Sequence, residues 1–441
     1  MIYSSSSRKG SNRRQIHAIV NASSAAPTPL LTRFTFYIVS VVAAFPFPIS
    51  QVVPLPLALA IAIVAMNGGL AVAARTRSDR TRLLAAVYLS PALWGLSILV
   101  QQFMALAKFG TSFLYIFLLP LAFVAGSALV KLKLEGEFLR SFRNVAILMA
   151  VIALWEFATH TSVFGISHFL QNSDRTTAGQ FHPIVLGIVL NLAMATCIQY
   201  KDALSRVVVL LVLYSAVFTT VSAGPEAVGG AVALVVLFPR LASLGRRVTA
   251  IVMVAAVASI FFITSVFTPS VRGFTVDQYS NGYRSAIYAL LPQMLSERPL
   301  GYGISGMPAG HWYIYTDFLG VRDVSITLDA EPVLLAAEFG VAGIVSYLLI
   351  VRLAGQVAYR SSLLVGLALA SVTVNGLTVA LHSWPSLSIL WFLLIGSAWQ
   401  FRAASGIRKR AGGKGPNSVM QGHGRILSDS SHRAGVSPLW N

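Results

Sequence analysis

The sequence is poor in charged residues and contains almost no cysteine. Charged residues make up only 11% of the 441 positions, whereas a soluble domain carries about 25%. The single cysteine, Cys197, lies in an apolar run, so an internal disulfide is excluded and a cysteine-based metal cluster is not expected. The histidines are scattered without an i, i+4 pair, so neither a metal site nor a cofactor is predicted.

The sequence is instead rich in long apolar segments. Hydrophobic residues make up 56% of the chain and the mean hydropathy is +0.72. A membrane-spanning helix needs about 20 apolar residues, and about twelve segments approach that length. They are 34–48, 52–74, 83–106, 111–130, 144–160, 183–200, 205–222, 226–239, 248–268, 332–351, 361–381 and 385–401. The sequence therefore predicts an all-α polytopic transmembrane helix bundle of about twelve spans.

The distribution of lysine and arginine predicts how this bundle is oriented. With the N-terminus in the cytoplasm, every second connection and both tails together hold 27 of the 33 basic residues. Such an excess marks the cytoplasmic side of a membrane protein. It accounts for the pI of about 10.4 without nucleic acid as a partner. The basic tails, 1–33 and 402–441, are expected to lie in the cytoplasm against anionic headgroups of the lipid bilayer.

Two connections on the opposite, extracytoplasmic side contain arginines, although most lysines and arginines lie on the cytoplasmic side. The longer one, 269–331, is a long extracytoplasmic loop predicted between spans 9 and 10, and it is rich in charged and aromatic residues. A loop of this length is usually functional or disordered, and its aromatic content argues against disorder. It contains Arg272, Arg284, Arg298 and Arg322, and the loop 161–182 contains Arg175. Arginine binds phosphate oxygens bidentately, although these residues could instead pair with neighbouring acids or lipid headgroups.

Several other sequence features that could indicate a functional site are better explained by a structural role. The GYGISG segment at 301–306 matches GxGxxG, but no strand precedes it, so it predicts a tight loop rather than a dinucleotide site. His382 and Trp384 border a span and are typical of interfacial anchors. Three acids lie in or at the ends of spans, where a carboxylate is either functional or within reach of water. They are Glu156, Glu226 and Glu338.

Three segments together resemble the superfamily of O-antigen ligases and O-antigen polymerases, which are bacterial membrane glycosyltransferases. DRTTAGQFHP is similar to a family signature at the start of a span, and its matching residues are Arg175, Gly179, Phe181 and Pro183. GYRSAIYALLPQMLSERPLGYG is similar to a second signature through Arg284, Pro299, Leu300, Gly301 and Gly303. EFGVAG is similar to a third through Glu338, Gly340 and Gly343. The resemblance covers roughly 140–400 and agrees in order and topology.

The chain departs from the family pattern at two places. Where ligases of the family have a His-Asn pair, this chain has Asp329 and Ala330. A Ser-Arg pair near the seventh span is replaced by Ser222 and Ala223. Because the ligase histidine is the expected base, its absence favours a polymerase-like member that makes an exopolysaccharide or capsule.

The resemblance implies a function, a location and a set of partners. The protein would be a multi-pass protein of the bacterial cytoplasmic membrane that polymerises or ligates glycan on the outer face. The donor would be a polyprenyl-diphosphate-linked oligosaccharide, the acceptor a glycan, and other polysaccharide-assembly membrane proteins would be partners. Arg175 and Arg284 would hold the diphosphate, with Arg272, Arg298 or Arg322 assisting. Asp329 is the expected base, and Glu338 is a weaker candidate or a favourable charge at a helix N-terminus.

A secondary transporter or a lipid-linked glycan flippase is the alternative. Twelve spans with both termini inside suit a transporter, and spans broken near Pro46 and Pro225 could line a path. A duplicated half-pattern is not visible in the sequence, and the long loop lies at the ninth connection rather than at the centre.

Overall fold

The computed structural model describes residues 28–85, 109–165, 175–238, 283–284, 286–303, 310–316, 320–324 and 328–412. This part of the chain is mostly helical. The helices are α1 (Leu30–Ala44), α2 (Pro46–Ser50), α3 (Leu55–Ala73), α4 (Phe109–Leu132), α5 (Glu135–Thr159), α6 (Pro183–Thr196), α7 (Ala203–Phe218), α8 (Ala223–Leu237), α9 (Leu291–Glu297), α10 (Glu331–Phe339), α11 (Val341–Arg360), α12 (Leu363–Asn375) and α13 (Pro385–Gly412). Short 3₁₀ turns follow α6 and precede α13.

Four of these helices are long and apolar enough to cross a membrane, namely α3, α5, α11 and the part of α13 up to Ala404. Six further apolar helices have 10–17 residues, α4 being counted from Leu118. The expectation of a mostly helical fold is therefore confirmed, and the length and composition of these helices suggest a membrane protein. The count of twelve spans stays a prediction, because 248–268 lies outside the described residues and 83–106 is described only up to residue 85.

Two structural details differ from the sequence-based prediction. The expected span 332–351 is wrong, because the helix ends at Phe339 and a new one, α11, begins at Val341. The break is at Gly340, whose φ of 61° and ψ of −139° belong to a region that is almost exclusive to glycine. A Cβ at Gly340 would lie 1.9 Å from Pro299 O. The break thus makes room for the segment Pro299–Gly303.

The second difference is that the long loop is not purely helical. It contains an antiparallel hairpin of β1 (Tyr313–Thr316) and β2 (Gly320–Asp323), with Tyr315 opposite Val321. The hairpin shares a small second core with the helices around it. Its buried members are Ile287, Met294, Trp312, Ile314, Val324, Leu328, Ala330, Val333 and Ala337. We call the described parts of 283–339 the loop subdomain; these described residues have a hydrophobic core of their own.

The other helices share one large core and alternate between two ends of the bundle. At one end the starts of α1 and α5 meet through Arg33 and Glu137, whose charged atoms are 3.6 Å apart. Near the same end, Gln199 donates to Gly136 O. The basic connections 131–134 and 200–206 lie here. At the other end, the loop before α6 meets the ends of α1, α5 and α7, and this is where the candidate site is built.

Candidate functional site

The loop that carries Arg175 is fixed by buried polar groups at the ends of two helices. Glu156, near the end of α5, accepts backbone N–H bonds from Thr177 at 3.1 Å and Ala178 at 2.9 Å through one carboxylate oxygen. Its other oxygen accepts from the backbone of Val163 at 3.0 Å. Gln180, fully buried, donates to the carbonyls of Ala43 and Ala44 at the end of α1. The function of the buried acid Glu156 is therefore to hold this loop in place.

Arg175 is anchored on the turn between α7 and α8. Its Nε donates to Thr220 O and its Nη2 donates to Ser222 Oγ, both at 2.8 Å. The neighbouring Thr176 bonds Thr219 through both its backbone and its hydroxyl. These contacts fix the position of a half-buried guanidinium. Ser222 is thus part of the arginine's support.

Arg284 is anchored on the connection between α12 and α13, residues 376–384. Its Nε donates to Thr378 O at 3.1 Å, and Tyr288, one helical turn later, donates to Leu377 O at 2.8 Å. Burial raises the pKa of Tyr288 to about 12, so its hydroxyl remains a donor at neutral pH. The connection also touches the start of α8, because a Cβ at Gly224 would lie 2.8 Å from Thr378 Oγ1. The supports of the two arginines are therefore neighbours.

His182 lies within the electrostatic influence of both arginines. It caps the N-terminus of α6, and its Nδ1 accepts the backbone N–H of Ile184 at 3.2 Å. Its ring packs against Trp384 of the α12–α13 connection, with 5.8 Å between the ring centres. Burial, followed by the charges of Arg175 and Arg284, lowers its pKa to about 4. The imidazole is consequently neutral at physiological pH.

Asp329 brings a carboxylate to the same region. The residue as a whole is exposed to solvent, but partial burial of its carboxyl raises the pKa of that group, and the positive charge of Arg284 opposes the rise. Its neighbours Leu328 and Ala330 are buried in the core of the loop subdomain. A water-accessible carboxyl with a raised pKa beside an arginine is suited to accept a proton.

Behind these residues, His382 lies between two buried glutamates. Its Nδ1 is 2.8 Å from Glu331 Oε1 and its Nε2 is 3.0 Å from Glu338 Oε2. The backbone N–H of His382 also donates to Glu331, and Glu331 N donates to Gly376 O at 2.8 Å. We call Glu331, His382 and Glu338 the carboxylate–histidine clamp. It joins the loop subdomain to the α12–α13 connection.

The clamp is an ion-pair network rather than a metal site. Burial by itself lowers the pKa of His382, but the carboxylates, Glu331 foremost, outweigh it and raise the pKa to about 10. Each ring nitrogen faces a different carboxylate, so the three side chains share no common point for a cation. No group of three or more His, Cys, Asp or Glu side chains in the described ranges is arranged to hold a metal.

The remaining predicted residues lie in different surroundings. Glu338 belongs to the clamp, so its carboxylate is engaged by His382. Arg298 is exposed and lies 5.6 Å from the centre of the Tyr302 ring. Arg322 is exposed on β2, and Arg272 lies outside the described residues. Of the predicted residues, the structure brings Arg175, Arg284 and Asp329 to one region.

Of the glycine-rich segment at 301–306, the structure describes residues 301–303, which pack against α10, and the rest lies outside the described residues. Tyr302 N donates to Ala337 O at 2.7 Å, and Val341 N donates to Pro299 O at 2.9 Å. A Cβ at Gly301 would lie 2.4 Å from Glu338 O. The two glycine motifs thus pack backbone against backbone at the α10–α11 break, directly behind Glu338.

Sequence reasoning missed His182, Glu331 and His382 as members of this region. From the sequence, His382 is typical of an interfacial anchor, and His182 is one of the scattered histidines with no predicted role. The sequence feature that could have identified these three residues is their position. Each lies at or next to the start of an apolar helix at the same end of the bundle.

The assembled groups are those of an anion-binding site with a proton acceptor beside it. Two guanidinium groups with fixed positions can bind phosphate oxygens, and a neutral histidine and a carboxyl complete the region. Compared with models of known protein families and with curated proteins, the chain matches none.

Proposed function

We propose that the protein is a membrane glycosyltransferase that polymerises or ligates glycan carried on a polyprenyl diphosphate, at the outer face of the bacterial cytoplasmic membrane. The observation that carries this proposal is that Arg175 and Arg284, which lie in different loops, are anchored on neighbouring segments: Arg175 bonds Ser222, Arg284 bonds Thr378, and Gly224 packs against Thr378. Each guanidinium is oriented through Nε by a backbone carbonyl. A lipid diphosphate supplies both the anion for these groups and an apolar chain for the surrounding helices.

The proposed reaction transfers a glycosyl group to a sugar hydroxyl. The acceptor oxygen forms a bond to the anomeric carbon, the bond from that carbon to the diphosphate breaks, and the hydroxyl proton moves to Asp329. Negative charge grows on the departing diphosphate, so pre-positioned arginines stabilise the transition state more than the ground state. No nucleotide sugar is needed, which suits a site facing away from the cytoplasm.

Replacement of Arg284 by alanine tests the proposal. We expect the variant to lose about a hundredfold or more in turnover while its level in the membrane stays normal. The assay incubates purified protein with lipid-linked repeat units and separates the products by size. A ladder indicates polymerisation, and a single transfer to a foreign acceptor indicates ligation. Arg360→Ala is the matched control, because Arg360 is an exposed arginine at the opposite end of α11. Full activity of Arg284→Ala would refute the proposal.

Asp329→Asn tests the proton acceptor separately. Asparagine keeps the shape of the side chain but cannot take the proton, so we expect turnover to fall by about a hundredfold or more. Binding of the lipid-linked donor should be retained, which distinguishes this variant from Arg284→Ala. Activity near that of the native protein would assign the base to another residue.

A further inference from the structure

The loop subdomain is attached to the α12–α13 connection at several points. Arg284 Nε donates to Thr378 O at 3.1 Å, and Tyr288 donates to Leu377 O at 2.8 Å. Both acceptors are backbone carbonyls of consecutive residues. The position of the Arg284 guanidinium relative to the helix bundle therefore depends on how the subdomain is seated on this connection.

Glu331 bonds to the same connection through both its backbone and its carboxylate. Its N–H donates to Gly376 O at 2.8 Å. Its Oε2 accepts the backbone N–H of His382 at 3.1 Å, and its Oε1 lies 2.8 Å from Nδ1 of the same residue. These contacts lie on either side of the two carbonyls that accept from Arg284 and Tyr288. Glu331 is 0% exposed, so water does not compete for its bonds.

Asp329 is placed by the same attachment. It lies two residues before Glu331, and its neighbours Leu328 and Ala330 are buried in the core of the loop subdomain. Helix α10 begins at Glu331, so the segment that carries Asp329 leads directly into the buried carboxylate. A shift of Glu331 would therefore move Asp329 together with the subdomain to which Arg284 belongs.

We propose that Glu331 is a positioning residue of this site: its carboxylate seats the loop subdomain on the α12–α13 connection and thereby sets Arg284 and Asp329 in place for the reaction. Because Glu331 is fully buried, it acts through these two residues. This inference rests on the proposed function, which assigns the reaction to them. A misplacement of about 1 Å can reduce turnover about a hundredfold, so the loss of a remote carboxylate can be visible in turnover.

Two substitutions of Glu331 separate position from charge. In Glu331→Gln the side-chain oxygen can still accept the His382 backbone N–H, and the amide can donate to Nδ1 of the neutral ring. We expect this variant to keep the attachment and most of the turnover. In Glu331→Ala both bonds are lost and the buried groups of His382 lack their partner. We expect its turnover to fall about tenfold or more and its melting temperature to fall as well.

Glu297→Ala is the matched control. It too breaks a glutamate–histidine pair of the loop subdomain, because Glu297 Oε2 lies 3.2 Å from His311 Nε2. About 40% of each of these side chains is exposed, so the pair contributes little to the position of the subdomain. Turnover of Glu297→Ala should equal that of the native protein.

The experiment uses the full-length protein in lipid nanodiscs and the assay with lipid-linked repeat units, at a temperature at which every variant is folded. Hydrogen exchange of residues 376–384, followed by mass spectrometry, provides a readout that does not depend on activity. Exchange should be faster in Glu331→Ala than in the native protein and in Glu331→Gln. A purely structural role predicts a lower melting temperature with unchanged turnover of the folded Glu331→Ala protein. That result, unchanged exchange in Glu331→Ala, or a Glu331→Gln protein as inactive as Glu331→Ala would refute the positioning role.

Double variants show whether Glu331 acts through Arg284 and Asp329. If it does, Glu331→Ala should lower turnover much less when Arg284→Ala or Asp329→Asn is already present than it does in the native protein. Full additivity in both backgrounds would refute the role of Glu331, while a defective Arg284→Ala single variant would still support the proposed function. If the native protein transfers no glycan, or Arg284→Ala keeps full activity, the proposed function is refuted and this inference with it.

Discussion

Glu156 illustrates how a buried charge can be structural within an apolar bundle. Its side chain is 4% exposed, and three backbone N–H groups, from Val163, Thr177 and Ala178, point to its carboxylate. These bonds replace the hydration that a carboxylate loses on burial. They also fix the loop in which Arg175 lies, so a residue that touches no substrate affects the geometry of the site.

Glu156→Gln should therefore reduce both stability and activity. Glutamine offers one acceptor oxygen, but its NH₂ group would face backbone donors, and an unsatisfied buried pair costs about 1–3 kcal/mol. We expect a lower melting temperature and a decrease in turnover. Glu137→Gln on the same helix is the control, because Glu137 pairs with a largely exposed Arg33 and its loss should cost at most about 1 kcal/mol. Equal melting temperatures for the two variants would contradict this interpretation.

At the scale of elements, the α10–α11 break depends on a glycine. Gly340 has φ of 61°, and a Cβ there would meet both Pro299 O at 1.9 Å and Gly301 N at 2.8 Å. The break lets the Pro299–Gly303 segment bond to the backbone of α10 and α11. Its position directly after Glu338 and Phe339 connects the glycine motifs to the carboxylate–histidine clamp.

Gly340→Ala should separate these segments. The backbone strain alone costs about 1–3 kcal/mol, and the contact with Pro299 adds to it, so we expect a strongly lowered melting temperature and loss of activity. Gly355→Ala in α11 provides the comparison, since a Cβ at Gly355 would meet no atom within 4 Å. Alanine there should be neutral or stabilise the helix by up to about 1 kcal/mol. A Gly340→Ala protein as stable as Gly355→Ala would refute the packing argument.

The clamp makes the attachment of the loop subdomain dependent on pH. The pKa of His382 rises from its usual 6.5 to about 10 in the folded protein. A raised histidine pKa contributes its full stabilisation below pH 6.5, and this contribution decreases as the pH rises toward 10. The melting temperatures of the native protein and of His382→Gln should therefore converge between pH 6.5 and pH 10.

Thermal unfolding of both proteins across that pH range measures the convergence. Each protein loses stability at alkaline pH for other reasons, so the difference between them is the informative quantity. His311→Gln serves as the control, because His311 pairs with Glu297 on the exposed surface, with about 40% of each side chain accessible. A difference that stays constant from pH 6.5 to 10 would show that His382 is not ionised through its glutamates.

The sequence predicted the helices better than the contacts between distant segments of the chain. Apolar segments of the right length identified most helices, because burial in an apolar environment is a local property of the sequence. The β-hairpin and the break at Gly340 were missed, because both depend on a second core and on a distant segment, Pro299–Gly303. The clamp could not be predicted either, because Glu331 and His382 are 51 positions apart. Arg175 and Arg284 were selected from a resemblance, and only the fold places them together.

At the scale of the whole molecule, the helix ends alternate between the two ends of the bundle. This alternation bears on how the protein would be oriented in a membrane. The basic connections 131–134 and 200–206 lie at one end of the bundle, and Arg175, His182, Arg284 and Asp329 lie at the other. If the basic end faces the cytoplasm, the arginine–histidine region faces outward, where a lipid-linked glycan is accessible. The sidedness of this arrangement can be tested independently of any activity.

Labelling of single cysteines with a membrane-impermeant maleimide provides that test. Tyr313, 55% exposed in the loop subdomain, is replaced by cysteine in one variant, and Lys201, exposed in the connection between α6 and α7, in another. We expect Tyr313→Cys to react in intact spheroplasts and Lys201→Cys to react only after permeabilisation. The native chain is the control, because Cys197 is buried and should react in neither condition. The reverse pattern would place the arginine–histidine region on the cytoplasmic face, and a lipid-linked donor on the outer face could then not be the substrate.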